Sequence, residues 1–298
     1  MAKQKFNCVY ELRIETNTGE IVIIRPPFTL EFSVMRNLLS STNTASFVIK
    51  NLAPKTRAKI FKDQFDTTTF RAIQFFAGYD DGTSDNPILP LVFNGNIKKA
   101  YNFRQGTDFI TEIECFDGSL ASYQTVSTTV KKGTALRDTF TQLVSGMKNI
   151  ESFTQGKGYD QTNFRDQAIF GNAKEIIDEQ SDGKFYIDSG GAYLLGDNEV
   201  IEAPLTEISF ENGLLNTPRR QEVFVEIDMI FEPRVKPSQK LNLISVSEPQ
   251  YDGVHKVIGF THSGVISESV AGVRQTKLTL RALPDFEIVK DMNSPKAL

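Results

Sequence analysis

Two histidines, His255 and His262, and two cysteines, Cys8 and Cys115, supply all the imidazole and thiol groups of this 298-residue chain. Their spacing matches none of the common zinc patterns, so an intrachain metal cluster is not expected. His255 and His262 lie seven apart in an apolar, strand-like run. On a regular strand an odd spacing sends side chains to opposite faces, which separates the two as a catalytic or metal pair. Both cysteines sit in apolar runs, the setting of buried, reduced thiols in a reducing compartment. Acidic residues number 37 against 33 Lys and Arg. Most alternate along strands as solvent-facing side chains do, and nothing selects two of them as a glycosidase pair. Gly156-Lys157-Gly158 lacks the spacing and the following Ser or Thr of a phosphate loop. The Asp80–Asn86 stretch has calcium-type ligands without the paired spacing or terminal Glu of a helix-loop-helix site, and reads as an exposed hairpin loop. No catalytic, cofactor-binding or metal residue is assigned, no cofactor is expected, and the chain reads as a non-enzyme.

Charge narrows the partners. The formal net charge is −4, and the basic doublets Lys98-Lys99, Lys131-Lys132 and Arg219-Arg220 are isolated. Such doublets are solvated faces, not a phosphate-gripping stripe. A mildly acidic wall does not hold DNA, but nucleic acid can pass along it. Tyr101, Phe103 and Tyr123 lie near basic residues. Without a basic groove they read as core or interface aromatics, not as a stacking platform. The N-terminus has no apolar signal core and no run approaches a membrane span, so synthesis and folding in a cytoplasm are expected.

The elements that position these residues are mainly strands. The chain has 23 Phe and no Trp, and 40% of it is hydrophobic, a composition that suits packed pleated surfaces. Val9–Thr16 and Ile21–Ile24 flank the turn Asn17-Thr18-Gly19. Leu30, Phe32 and Val34 alternate with polar residues, and Ser46–Lys50 follows. Pro54 opens a short amphipathic helix to about Asp63, with Ala58, Phe61 and Phe65 on its apolar side. Arg71–Tyr79, Leu89–Phe103 and Phe109–Phe116 are strands. In the last, Thr111, Ile113 and Cys115 share one face. Thr134 can cap a helix carrying Leu136, Phe140, Leu143 and Val144, ended by Gly146. Asn172 and Glu175 form a capping box for a second helix, and Ser189-Gly190-Gly191 turns a hairpin. Glu222–Glu232 is the clearest alternating strand. Leu241–Val246, Val254–His262 and Thr276–Ala282 complete a small barrel or sandwich.

The fold class is therefore mainly β with an α+β insertion. The expected domains are a first β domain over 1–128, an α+β lobe over 129–203, a second β domain over 204–285, and a flexible tail over 286–298. A weak echo links Asn96–Cys115 with Val254–Ala282: strand, turn, alternating strand.

An ordered series of segments goes further. It comprises Asn51-Leu52-Ala53-Pro54 with Arg57 and Ile60-Phe61-Lys62-Asp63, then Phe76-Ala77-Gly78-Tyr79, Val92–Ile97 and Gly106–Gly118. It continues through Gly213–Pro218, Val223–Phe231 and Pro233–Leu243, and closes with Gly253–Val257 and Gly259–Gly264. In these segments, spread over nearly all of residues 5–285, the chain resembles the phage tail baseplate hub family, the central hub of contractile-tailed phages. The resemblance implies two tube-like β domains per chain and a homotrimer around a DNA channel. It also implies the tail tube protein, the central spike protein and other baseplate subunits as partners. Membrane and specific nucleic-acid binding are not implied. The location is the virion tail baseplate, after synthesis in the host cytoplasm. Some hubs carry fused lysozyme or spike domains; here these are expected to be separate proteins. A trimer of two-domain chains would present six similar units to a six-fold tube and stay three-fold towards a spike. The alternatives are the hub portion of a contractile secretion or injection apparatus, a receptor- or carbohydrate-binding tail-tip module, and a peptidoglycan hydrolase. The binding module calls for an exposed aromatic platform, against which the helical insertion and the absent Trp count. The hydrolase needs a convergent acid pair or metal site.

Overall fold

The computed structural model describes residues 7–38, 42–80, 88–269 and 272–293; the acidic loop expected around Asp80–Asn86 lies, apart from Asp80, outside them. Strands β1 (Cys8–Glu15) and β2 (Ile21–Ile24) form the expected hairpin. They are followed by β3 (Leu30–Asn37), β4 (Thr44–Lys50), helix α1 (Pro54–Ile60), β5 (Ala72–Tyr79), β6 (Leu91–Gln105) and β7 (Asp108–Phe116). Alternation puts Leu30, Phe32, Val34, Phe47, Ile49, Ile113 and Cys115 on one buried face. There Phe75 packs against Phe32 and Phe47, each at a centroid separation of 5.1 Å. Each fully buried ring contributes about 1.5–3 kcal/mol. Helix α1 is shorter than its periodicity suggests. The chain leaves the helix at Phe61 (φ −47°, ψ 131°), so Phe61 and Phe65 are exposed while Ile60 and Leu52 are the buried anchors. Asp63 and Asp66 accept backbone bonds from Phe65 and Thr68 and stabilise a turn instead.

The middle segment packs helices on short strands. It contains α2 (Ser119–Ser122), β8 (Thr125–Val130), α3 (Leu136–Ser145), β9 (Ser152–Gln155), β10 (Gln167–Asn172), α4 (Ala173–Gln180), β11 (Phe185–Asp188) and β12 (Gly191–Leu194). Phe140, Leu143, Val144 and Ile177 are its core. Asn172 caps α4, its Oδ1 accepting from the amides of Lys174 (3.0 Å) and Glu175 (3.2 Å). At α3 the cap position is Ala135, not Thr134, and no side chain bonds there. Ser189 (φ 49°) and Gly190 (φ 81°) turn the β11–β12 hairpin with both central residues left-handed.

The remaining strands are β13 (Glu199–Ile201), β14 (Glu207–Ile208), β15 (Arg219–Gln221), β16 (Phe224–Ile230), β17 (Lys240–Leu243), β18 (Gly253–Ile266), β19 (Arg274–Ala282) and β20 (Glu287–Val289). Val225, Ile227 and Met229 of β16 face the core as expected. The strand begins late because Glu222 adopts φ 55°, leaving Val223 exposed. Of the segment expected as a flexible tail over 286–298, residues as far as Asn293 are described. Strand β20 pairs in parallel with β13, and Asp291 accepts from Tyr193 Oη (3.0 Å) and Lys236 Nζ (2.7 Å). Backbone pairing and a half-buried ion pair hold this segment, which composition alone marked as polar.

Among the described residues a 13-stranded sheet runs in the order β15-β16-β19-β18-β3-β4-β7-β6-β5-β1-β2, with β17 on β18 and β14 on β17. Within it a five-strand pattern occurs twice, as β3-β4-β7-β6-β5 and as β15-β16-β19-β18-β17, with every neighbour antiparallel. The registers coincide. Asn96 opposes Ala72, the first residue of β5, and the unpaired bulge residue Lys98 lies two further on. Lys256 opposes Lys240, the first residue of β17, and the bulge residue Ile258 again lies two further on. Carried across the sheet, this equates Cys115 with Leu280, Ala45 with Val225 and Phe47 with Ile227. The two patterns are joined by β3 pairing with β18 beyond its bulge, from Gly259 opposite Asn37 to Ile266 opposite Leu30.

The bulge also corrects the expectation for the histidines. His255 opposes Ala282 and His262 opposes Thr276, six residues apart on an unbulged strand. One inserted residue turns the odd spacing into an even one, and both imidazoles stand on the same face.

Candidate functional site

The same-face histidines do not converge. Six ladder steps separate them by on the order of 20 Å. His255 Nδ1 lies 2.9 Å from Gly253 O, and burial lowers its pKa. His262 Nδ1 lies 2.8 Å from Thr276 Oγ1, and burial, then Arg36, lowers its pKa to about 3. The thiols of Cys8 and Cys115 are free, buried and raised by that burial, Cys8 to about 11. Among the described residues no group of three or more His, Cys, Asp or Glu side chains could hold a metal ion, and no helix is long and apolar enough to cross a membrane.

What the fold does build is a continuous, mostly polar face. Opposite the Phe-rich core, cross-strand partners line up over six strands: Gln275, Ser263, Ser33, Ser46, Glu114 and Lys99. A neighbouring row carries Asp228, Lys277, Thr261, Met35, Thr44 and Phe116. Small hydroxyls occupy the seam between the two patterns. The charges on either side are neutralised locally, Lys99 on Glu114 at 2.7 Å, Lys50 on Glu31 at 3.0 Å and Lys277 near Asp228 at 3.9 Å. Such pairs add little stability, but each sets a carboxylate beside a lysine, which weakens that lysine's pull on a phosphate backbone. Lys98 and Lys99, read as a solvated doublet, separate here: Lys98 is the bulge residue over the Phe116 ring, and Lys99 joins the row. Tyr101 lies partly exposed on this face, and Phe103 and Tyr123 are exposed.

The middle segment is fastened to the sheet through a buried polar cluster that the residue pattern did not reveal. Arg36 Nε donates to Asp188 Oδ1 (2.7 Å), its Nη2 bonds Asp188 Oδ2, and its Nη1 donates to Val92 O (2.9 Å). Asn43 Nδ2 donates to Asp188 Oδ1 (3.1 Å), and the Ser189 amide donates to Asp117 (2.6 Å). Arg36 is raised and stays charged, because Asp188 more than offsets the cost of its burial. Asp117 is raised to about 7 by burial and by the neighbouring Asp188.

Solved structures with this architecture include two tail proteins and a PdpA–VgrG complex. The 43 kDa tail protein of prophage MuSo2 from Shewanella oneidensis superposes with a TM-score of 0.58 at 8% identity, over 93% of this chain and 99% of that one. A tail protein from Neisseria meningitidis gives 0.55 at 11%, over 92% and 96%. The Francisella PdpA–VgrG complex gives 0.55 at 9%, over 99% of this chain and 60% of that one. At these identities the likeness shows the fold, which is that of a tail protein. No curated protein matches by sequence. The baseplate hub gp41 family matches residues 11–262, and the chain belongs to that family. It is a phage tail hub component of the mainly β class.

Proposed function

We propose that three copies of this chain close into a ring that adapts a six-fold tail tube to a three-fold central spike around a DNA channel. The observation that carries this reading is the repeated five-strand pattern. With two register-matched patterns per chain, three chains present six similar units to a tube while remaining a true trimer towards a spike. The polar, charge-paired sheet face supports a channel wall past which DNA slides without being held. The tube protein, the spike protein and other baseplate subunits are the partners, and assembly takes place in the host cytoplasm before the hub enters the virion baseplate. The role is structural, so activity on peptidoglycan or polysaccharide stays at background. Turnover that disappears on a single acidic substitution would contradict it.

Native mass measurement and electron cryomicroscopy of the chain with its cognate spike test the assembly. The expected result is a three-copy ring. Six copies, or a monomer with the spike saturating, would overturn it. Association is measured with the spike present because partner binding stabilises the assembled state by mass action.

A further inference from the structure

We infer that β15 of one copy pairs with the open end of β6 in a second copy, so that the sheet continues from chain to chain. This rests on the trimeric reading and specifies its contact. Within one chain the first pattern meets the second through its outermost strand: β3 lies along β18 beyond the bulge. The counterpart of β3 is β15, and the counterpart of β18 is β6. Beyond its bulge, among the described residues, the pairing of β6 on the edge away from β7 is an isolated bridge from Lys62 to Ala100. Among the described residues no strand covers that edge from Tyr101 to Gln105. Among the described residues strand β15 pairs with β16 alone.

Each chain thus carries both halves of a contact, the β15 edge and the open β6 edge, whose joined form it already displays internally as β3 on β18. A heterologous contact of this kind closes a ring when its rotation repeats. The lengths of the two outer strands agree with this. Strand β3, flanked on both sides, has eight residues, whereas β15, flanked on one, has three.

Register equivalence fixes the partners. Asn37, Val34 and Ser33 correspond to Val223, Arg220 and Arg219, and Gly259, His262 and Ser263 to Lys99, Asn102 and Phe103. Arg220 of one copy therefore opposes Asn102 of the next, and Arg219 opposes Phe103, as Ser33 opposes Ser263 within the chain. Pro218, lacking an N–H, ends the new ladder. The pairing sets an exposed arginine against an exposed aromatic ring, a favourable cation–π arrangement.

The test is a Phe103→Cys/Arg219→Cys double variant, oxidised in the presence of the spike. Directly opposed strand residues lie within disulfide reach. Covalent dimers and trimers are expected on non-reducing gels from the double variant and from neither single variant. A Ser33→Cys/Ser263→Cys control should close within one chain and run as a monomer. A native-mass trimer without the covalent ladder overturns this pairing and leaves the trimer standing; a monomer overturns both. Hydrogen exchange on the unsubstituted chain gives an independent reading. The Asn102 and Arg220 amides should be protected in the trimer and not in the monomer, and equal exchange in both would overturn the pairing.

Discussion

Replacing Asp188 by Asn should loosen the middle segment from the sheet at a cost of about 3–5 kcal/mol, the range for breaking a buried ion pair. Both side chains are almost wholly buried, at 5% and 4% exposure, so water cannot screen the Arg36 guanidinium once its partner is neutral. The low end of the range is expected. Arg36 keeps its bond to Val92 O, and Asp117, already within its field, sheds its proton more readily when Asp188 no longer opposes it. With a urea dependence of about 2 kcal/mol per molar, the unfolding midpoint should fall by about 1.5 M or more. A double variant, Arg36→Met/Asp188→Leu, removes both charges and should return to within about 1 kcal/mol of the parent. Circular dichroism of urea titrations of the three proteins decides it. A single-variant cost below about 1 kcal/mol, or a double variant worse than the single, would refute the view that the cluster is a desolvated clamp.

Two further outcomes follow from the seam between the patterns. His262 is neutral in the fold, with a pKa lowered to about 3, while the unfolded chain takes up a proton near 6.5. Its contribution is present above about pH 6.5 and is lost as pH falls towards 3, reaching about 5 kcal/mol in the limit; a His262→Leu variant should flatten that part of the stability–pH curve, and an unchanged slope would count against it. At Gly259 a Cβ would sit 2.5 Å from Asn37 Cβ and 3.2 Å from Arg36 O. Gly259→Ala should therefore cost about 1–3 kcal/mol, and a thermal midpoint equal to the parent's would show that β3 and β18 approach less closely than described.

Local alternation was readable wherever one face is buried and the strand unbroken, as in Leu30–Val34 and Thr111–Cys115. The Asn172 cap was readable because its chemistry is confined to four residues. What escaped depends on partners distant in sequence. The bulge at Ile258 is defined by its opposition to β19, and a plain residue count from His255 to His262 gives the wrong face. Phe61 and Phe65 keep helical spacing, but the helix ends between Ile60 and Phe61. The β3–β18 seam joins residues more than two hundred positions apart. The echo between Asn96–Cys115 and Val254–Ala282 was visible as two hairpins, and only the pairing of their neighbours shows a common register. For the polar face, each strand supplies one or two residues per row, so Ser33, Ser46 and Ser263 look like unrelated surface serines until the strands are in order.

The paired bulges have a geometric consequence. An extra residue on one strand bends it and steepens its local twist, and here the extra residues, Lys98 and Ile258, fall at matching positions. In a ring of three chains they would form a belt of six bends at one height. The width of the passage would then be written into single-residue insertions rather than into any loop. Losing Lys98 would flatten alternate corners and leave a three-cornered opening, while losing both residues would widen the belt evenly until its last edge could no longer reach its first.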